Sequence, residues 1–307
     1  MNKHGRDLLH QNHVRVEPFK LHGKSKLNAL QEFENLCTTE DVESIKTALP
    51  YWPRLYSKLS IDCDRRVEKS TQSAHTALVS QIGKELAPCL RSVMPSWLLA
   101  MTDPHAPAAI AATKSFQSAF SEEKRPGVMI FCSKEIIETI FDNLFIQSSQ
   151  TMSDPKTTEK EDQDSKYVRV LYCSLKGLCL LLEMTSKLSD KKTEVGNKIM
   201  PFFREKKFWK LAKHESNMIV YKMIIMENFM IEIQGIPGDG DETNVRCAWF
   251  DTIKSLFEYN VGILSPWLSQ LSNLIFSSLD CQESVVLPHI WIAFLHLCVG
   301  LDGMILH

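Results

Sequence analysis

The chain has no surplus of either charge: 35 Lys and Arg stand against 37 Asp and Glu in 307 residues. No global field therefore favours nucleic acid or an anionic membrane, and any basic contact surface must be local. No C-x-x-C pair occurs among the nine cysteines, which are odd in number and scattered. That pattern excludes a disulfide framework and fits thiols used as small core residues in a reducing compartment. Residues 1–22 hold His, Lys and Arg but no apolar run of signal-peptide length, so the chain is expected in the cytosol. An apolar membrane span is also missing. The best stretch, residues 284–301, is interrupted by Pro288, His289 and His296, and Asp280, Glu283 and Asp302 flank it where Lys or Arg anchors belong. It reads as a buried helix pair. No segment alternates apolar and polar residues as a half-buried strand would.

The usual signatures of chemistry are incomplete as well. Gly23-Lys24-Ser25 imitates the end of a phosphate-binding loop, but that loop needs a glycine where Pro18 stands, and no strand precedes it. Asp62-Cys63-Asp64 offers two carboxylates to a magnesium ion, yet helix capping explains them more cheaply. Asp239, Asp241 and Asn244 lack the central glycine and closing glutamate of a calcium loop. His289 and His296 have no third ligand at metal spacing. No Ser/His/Asp arrangement sits in a recognisable motif, so neither a catalytic residue nor a cofactor or small-molecule substrate is assigned.

What the chain does have is helical periodicity and enough apolar residues, 44%, to bury a large core. From Asp64 onward, Val67, Thr71, Ala74, Leu78 and Ile82 step by three or four and share one helix face. Residues 49–59, with Trp52, Leu55, Tyr56 and Leu59, form the preceding helix. The plan recurs about 41 residues later: residues 86–101 lead to Asp103 and then to a helix through Ala108, Ala112, Phe116 and Ala119. Asp62 and Asp103 thus occupy equivalent turns. The expected fold is an all-α, HEAT/armadillo-like helical-repeat solenoid. Further helices are expected at residues 127–146, 166–188, 201–211, 218–233 and 245–259, with two more before the C-terminus.

The domain plan that follows has a disordered basic tail at residues 1–26, N-terminal repeats at 27–146, and a mobile polar and acidic loop at 147–165. Further repeats fill residues 166–307, with an insertion at 215–241 and an array truncated at its C-terminal end. One stretch stands apart. Residues 198–214 place Lys198, Arg204, Lys206, Lys207, Lys210 and Lys213 among Phe202, Phe203, Phe208 and Trp209. A helix here could present cations to phosphates while the aromatics anchor it or stack on a base. The alternative is a solvated basic face over an ordinary core. The candidate partner or RNA-binding residues are Arg204, Lys206, Lys207, Lys210 and Lys213.

Many of these residues also carry a resemblance. Leu27-Asn28-Ala29-Leu30-Gln31-Glu32-Phe33, Leu49-Pro50-Tyr51-Trp52-Pro53, Asp64-Arg65-Arg66-Val67, residues 167–175 and Lys207-Phe208-Trp209-Lys210 are collinear with the N-terminal region of the listerin family of RING-type E3 ubiquitin ligases. The likeness covers about residues 27–214 and resumes, more weakly, from Asn244 to Leu301. It implies a HEAT-like scaffold that helps the ligase engage a large ribosomal subunit carrying an obstructed peptidyl-tRNA, together with the nuclear export mediator factor and with possible contact to ribosomal RNA. It also implies that ubiquitin transfer and zinc belong to a C-terminal RING. The cysteines of this chain do not supply that eight-ligand pattern. Residues 1–26 do not follow the family, and residues 215–241 interrupt the match.

Overall fold

The computed structural model describes residues 23–212 and 239–305, and these form helices joined by turns, with no strand among the described residues. In chain order the helices are α1 (Gly23–Thr39), α2 (Val42–Lys46), α3 (Trp52–Leu59), α4 (Arg65–Ile82), α5 (Leu90–Met101), α6 (Ala106–Ala119), α7 (Arg125–Phe131), α8 (Ser133–Phe141), α9 (Ser149–Met152), α10 (Lys160–Ser186), α11 (Ser189–Ile199), α12 (Lys206–Lys210), α13 (Asp239–Asn260), α14 (Leu268–Ser278) and α15 (Leu287–Ile305). Packing follows sequence order: α1 lies on α4, α4 on α6, α10 on α13 and α13 on α15. These helices stack on one another in succession within each half of the chain, as repeat arrays do when they build a continuous core.

The two turns that mark the repeat close in the same way. Asp62 Oδ1 accepts from the Asp64 amide at 3.0 Å, and Asp103 Oδ1 accepts from the His105 amide at 2.7 Å. In each case the residue two positions on is the N-cap of the next helix, α4 or α6. Asp64 then caps α4 itself by accepting from the Arg66 amide at 2.9 Å, as such a side chain does for the orphan donors of a first turn. Residues 23–26, placed in the tail by the sequence pattern, instead form the first turn of α1, and Lys26 Nζ lies 2.6 Å from Asp62 Oδ2. Residues 1–22 are outside the described residues.

The N-terminal core is threaded by rings. Phe33, Trp52, Tyr56, His75, Trp97 and Phe116 stack or meet edge to face in succession, at centroid separations of 4.2 to 5.9 Å along the series. Three polar contacts tie the rings together inside: Trp52 Nε1 donates to His75 Nδ1 at 3.0 Å, Tyr56 Oη donates to Gln72 Oε1 at 2.8 Å, and Trp97 Nε1 donates to the Ala112 carbonyl at 3.0 Å, while His75 Nε2 is buried without a partner among the described residues. Because Nδ1 accepts, the His75 proton sits on Nε2, and burial drives the His75 pKa down to about 3.

A buried charge network joins the first repeats to α10. Arg169 donates through one guanidinium nitrogen to Glu68 Oε2 at 2.9 Å and through another to the Asp62 carbonyl at 2.8 Å. Its Nε is 3.9 Å from Asp103 Oδ2, and Arg65 reaches both carboxylates, at 3.4 Å to Glu68 and 3.2 Å to Asp103. Burial, followed by the neighbouring Asp103 carboxyl, pushes the Glu68 pKa up to about 8.

Several sequence expectations are corrected. The segment 127–146 is not one helix: it breaks at Cys132 between α7 and α8 and ends in a π-helical turn, Asp142–Ile146. Cys132 is fully buried, so the apolar stripe continues through the break and hides it. Residues 147–165, read as a loop, contain α9 and the start of α10. Scarcity of apolar residues suggested a loop, but Glu161 and Asp162 lie in the first turn of α10, where they complement the helix dipole. Residues 201–211 divide into a 3₁₀ turn and the short α12. Helix α11 carries no long apolar stripe: among its described residues from 194 to 199, Val195, Gly196 and Ile199 are buried. The 218–233 helix lies outside the described residues. Of the buried pair expected at 284–301, one face of α15 (Ile290, Ala293, Leu297) is buried, while Trp291, Ile292, Leu295 and Val299 are exposed. No described helix is long and apolar enough to cross a membrane.

The two displaced pKa values act on stability in opposite senses. Folded His75 refuses a proton that the unfolded chain accepts below about pH 6.5, so its contribution is lost as pH falls from there toward 3. Folded Glu68 keeps a proton that the unfolded chain releases above about pH 4.3, so its contribution is lost as pH rises from there toward 8. Each slope approaches ~1.4 kcal/mol per pH unit, and they cancel between about pH 4.3 and 6.5. Urea titrations of His75→Gln should flatten the acid limb, and those of Glu68→Gln the alkaline limb.

The described residues before 213 and after 238 pack on one another: Arg246 Nε lies 3.5 Å from the Ala212 carbonyl, and Phe208 meets Trp249. Deleting residues 215–238 behind a short Gly-Ser bridge should therefore leave the protein soluble, with a melting temperature within a few degrees of the parent. A clear loss of melting temperature or aggregation would make that segment an integral part of the core.

Candidate functional site

The basic stretch is built on a backbone that aromatics hold down. Phe202, Phe203 and Phe208 are fully buried and Trp209 nearly so. Phe202 meets Phe141 and Phe145 edge to face, while Phe203, Phe208 and Trp209 meet one another and the rings of Trp249 and Trp267. Trp209 Nε1 donates to the Phe203 carbonyl at 2.9 Å. A five-residue helix such as α12 would not form alone; this packing forms it. It also decides between the two roles offered to the rings. They anchor the segment, and none is free to stack on a base.

With the rings inside, the residues between them must point out. Arg204, Lys206 and Lys210 are exposed and have no ion-pair or hydrogen-bond partner among the described residues. Lys207 is different. Its Nζ lies 2.7 Å from Tyr167 Oη, 3.5 Å from the Gln147 carbonyl and 5.4 Å from the Tyr167 ring centre. It is a tie between α12 and α10, not a free cation. Lys198 is likewise engaged, at 2.9 Å from Glu194 and 3.0 Å from Ser133 Oγ. Lys213 lies outside the described residues. The structure thus brings together three of the five candidates as an open patch and assigns a fourth to packing.

Other charged positions are committed elsewhere. Arg65 belongs to the Glu68 network and Arg66 pairs with Asp64 at 2.8 Å. His289 lies 2.6 Å from Asp251, and His296 contacts the Ile292 carbonyl within its own helix. Asp62 and Asp64 are occupied by Lys26 and by the α4 cap, and no cluster of three potential metal ligands occurs among the described residues. Sequence reasoning missed the Arg169–Glu68–Asp103 network. Its only sequence signal is charge placed where apolar stripes run, Glu68 beside Val67 and Arg169 beside Val168.

An all-α array of stacked helix pairs, with a local cationic patch on a rigid backbone, defines a helical-repeat scaffold domain. The chain belongs to the listerin family. Residues 20–304 match the family described as E3 ubiquitin-protein ligase listerin, N-terminal domain. It is similar to E3 ubiquitin-protein ligase listerin of Gallus gallus, 34% identical over 272 residues, and of Mus musculus, 33% identical over 283 residues. The Drosophila melanogaster relative is 31% identical over 271 residues. These matches cover 87% to 92% of this chain but only 14% of each relative's length.

The division between anchors and free cations is measurable. Phe208→Ala should cost about 3–5 kcal/mol and lower the melting temperature. Lys206→Ala should change stability by less than about 0.5 kcal/mol. Thermal melts of the two variants, read by circular dichroism, check the assignment.

Proposed function

We propose that this chain is the N-terminal docking scaffold of a listerin-type E3 ubiquitin ligase, acting in the cytosol on large ribosomal subunits that retain an obstructed nascent chain, beside the nuclear export mediator factor. Its mechanism is proximity. A scaffold bound to the particle raises the effective concentration of a distant RING domain near the nascent chain, so transfer accelerates without chemistry in the scaffold itself. Family membership supports the ligase context, and the stacked helix pairs suit a protein that binds by surface.

One observation carries the contact to the particle: Arg204, Lys206 and Lys210 stand without a partner among the described residues, on a backbone pinned by buried aromatics. Cations held this way meet phosphates with little further loss of backbone freedom, and each contact releases condensed counterions. The patch therefore suits the phosphates of ribosomal RNA. The triple variant Arg204→Glu, Lys206→Glu and Lys210→Glu should co-sediment less with purified large subunits at physiological salt, with unchanged helix content. For the parent, the slope of log affinity against log salt should be steeper by up to about 0.9 for each duplex-like contact removed. Unaltered co-sedimentation of the folded variant would reduce the patch to a solvated face and favour a protein-binding adaptor without ribosome contact.

A further inference from the structure

A groove of about 1530 Å³ runs between the turn joining α3 to α4 and the segment from the π-helical turn to α10. It is larger than the ~300–1,000 Å³ of ordinary small-molecule pockets. Leu99, Ala100, Val170 and Cys173 from α5 and α10 lie along it. All four are nearly buried, so they form a low floor against which an extended chain lies flat. Concave surfaces between successive repeats are what solenoids characteristically use for binding.

One wall is specialised. The Gln147 amide donates to the Asp142 carbonyl at 2.8 Å, closing the five-residue step of the π turn, and such turns recur at functional sites. This turn carries Asn143 and ends at Gln147, and both side chains line the groove. Asn143 uses one amide hydrogen on Ser174 Oγ at 3.1 Å, and Gln147 uses its Oε1 to accept from Thr151 at 2.8 Å. The Asn143 carbonyl and the Gln147 amino group have no protein partner among the described residues. With the second Asn143 amide hydrogen, one acceptor and three donors remain there, able to complement a main chain that carries an N–H and a C=O at every residue.

Charge decides the class of occupant. Lys58 and Lys156 face the groove, as do Glu159 and Asp162, and none of the four has an ion-pair partner among the described residues. Deeper in, Asp62 and Asp103 are held by Lys26, Arg65 and Arg169. A nucleic-acid strand would press its phosphates against these carboxylates at a cost in every position. A polypeptide has a neutral backbone and side chains of both signs, and it meets the balanced lips without such repulsion.

We propose that this groove is a docking site for an extended segment of a partner protein, its main chain held by the Asn143 and Gln147 amides and its charged side chains set between Lys58/Lys156 and Glu159/Asp162. None of Arg204, Lys206 and Lys210 lines the groove, although Lys207 between them reaches the Gln147 carbonyl at its wall, so the cationic patch and the groove are distinct sets of residues.

The test is a displayed library of random 12-residue peptides selected on the full chain, with the enriched peptide synthesised, labelled and titrated by fluorescence anisotropy. The double variant Asn143→Ala, Gln147→Ala should weaken its binding about tenfold, as expected for losing two neutral hydrogen bonds. Thr139→Trp, which fills the groove from the same wall, should abolish binding while circular dichroism shows the fold retained. The Arg204→Glu, Lys206→Glu, Lys210→Glu variant should bind the peptide as the parent does, so failure of the patch on α12 is read separately. Failure to enrich any peptide, or an enriched peptide indifferent to both groove variants, overturns the proposal. It is equally overturned if a 20-nucleotide polyuridylate binds the parent and loses that binding in the Asn143/Gln147 variant.

Discussion

The Arg169 guanidinium is the interaction on which the arrangement of the array depends. From the middle of one face of α10 it reaches the Glu68 carboxylate in α4 and the Asp62 carbonyl in the turn before α4, and it faces Asp103 in the turn before α6. Taking charges out of water is costly, and a buried pair is not a strong source of stability in itself. Its consequence is positional. Donating to Glu68 and to the Asp62 carbonyl while facing Asp103 favours one register of α10 against both repeat turns, because a shift leaves buried acceptors without a donor. The groove walls inherit that register, since one is made by the α3–α4 turn and the other by the chain leading into α10.

The same logic of occupied partners explains where the surface is free. Lys207 is drawn to Tyr167 and Lys198 to Glu194, while Arg65 and Arg66 are spent on carboxylates near the repeat turns. What remains open at α12 is Arg204, Lys206 and Lys210, presented by a segment too short to be helical without its buried rings. Aromatic burial thus does two things at once. It completes the core between α8, α12 and α13, and it orients the cations outward.

Repetition links these features. The paired turns at Asp62 and Asp103 use the same side-chain-to-backbone closure, so their carboxylates fall on the same side of the array, where Arg169 meets both turns. A local capping device repeated about 41 residues apart becomes a long-range binding site for a guanidinium. Membership of the listerin family gives that architecture a context, and the match spans 14% of each relative's length.

Much of this was determined by the sequence alone. The three-four spacing of Val67, Thr71, Ala74, Leu78 and Ile82 defines a helix face, and the repeated Asp turn defines the period, because both depend on neighbours in the chain. The family likeness was legible for the same reason, as local residue order. The break at Cys132 was not, since an apolar residue continues the stripe whether or not the helix bends there. Nor was the start of α10, whose polar first turn is stabilised by its dipole and not by burial. The identity of the free cations in residues 198–214 lay beyond reach as well. Charge and aromatic content mark that stretch, but only the tertiary structure decides that Lys207 meets Tyr167 and that all four aromatics turn inward. Which groups find partners across 40 or 100 residues depends on how helices stack, and periodicity along one helix carries no information about that.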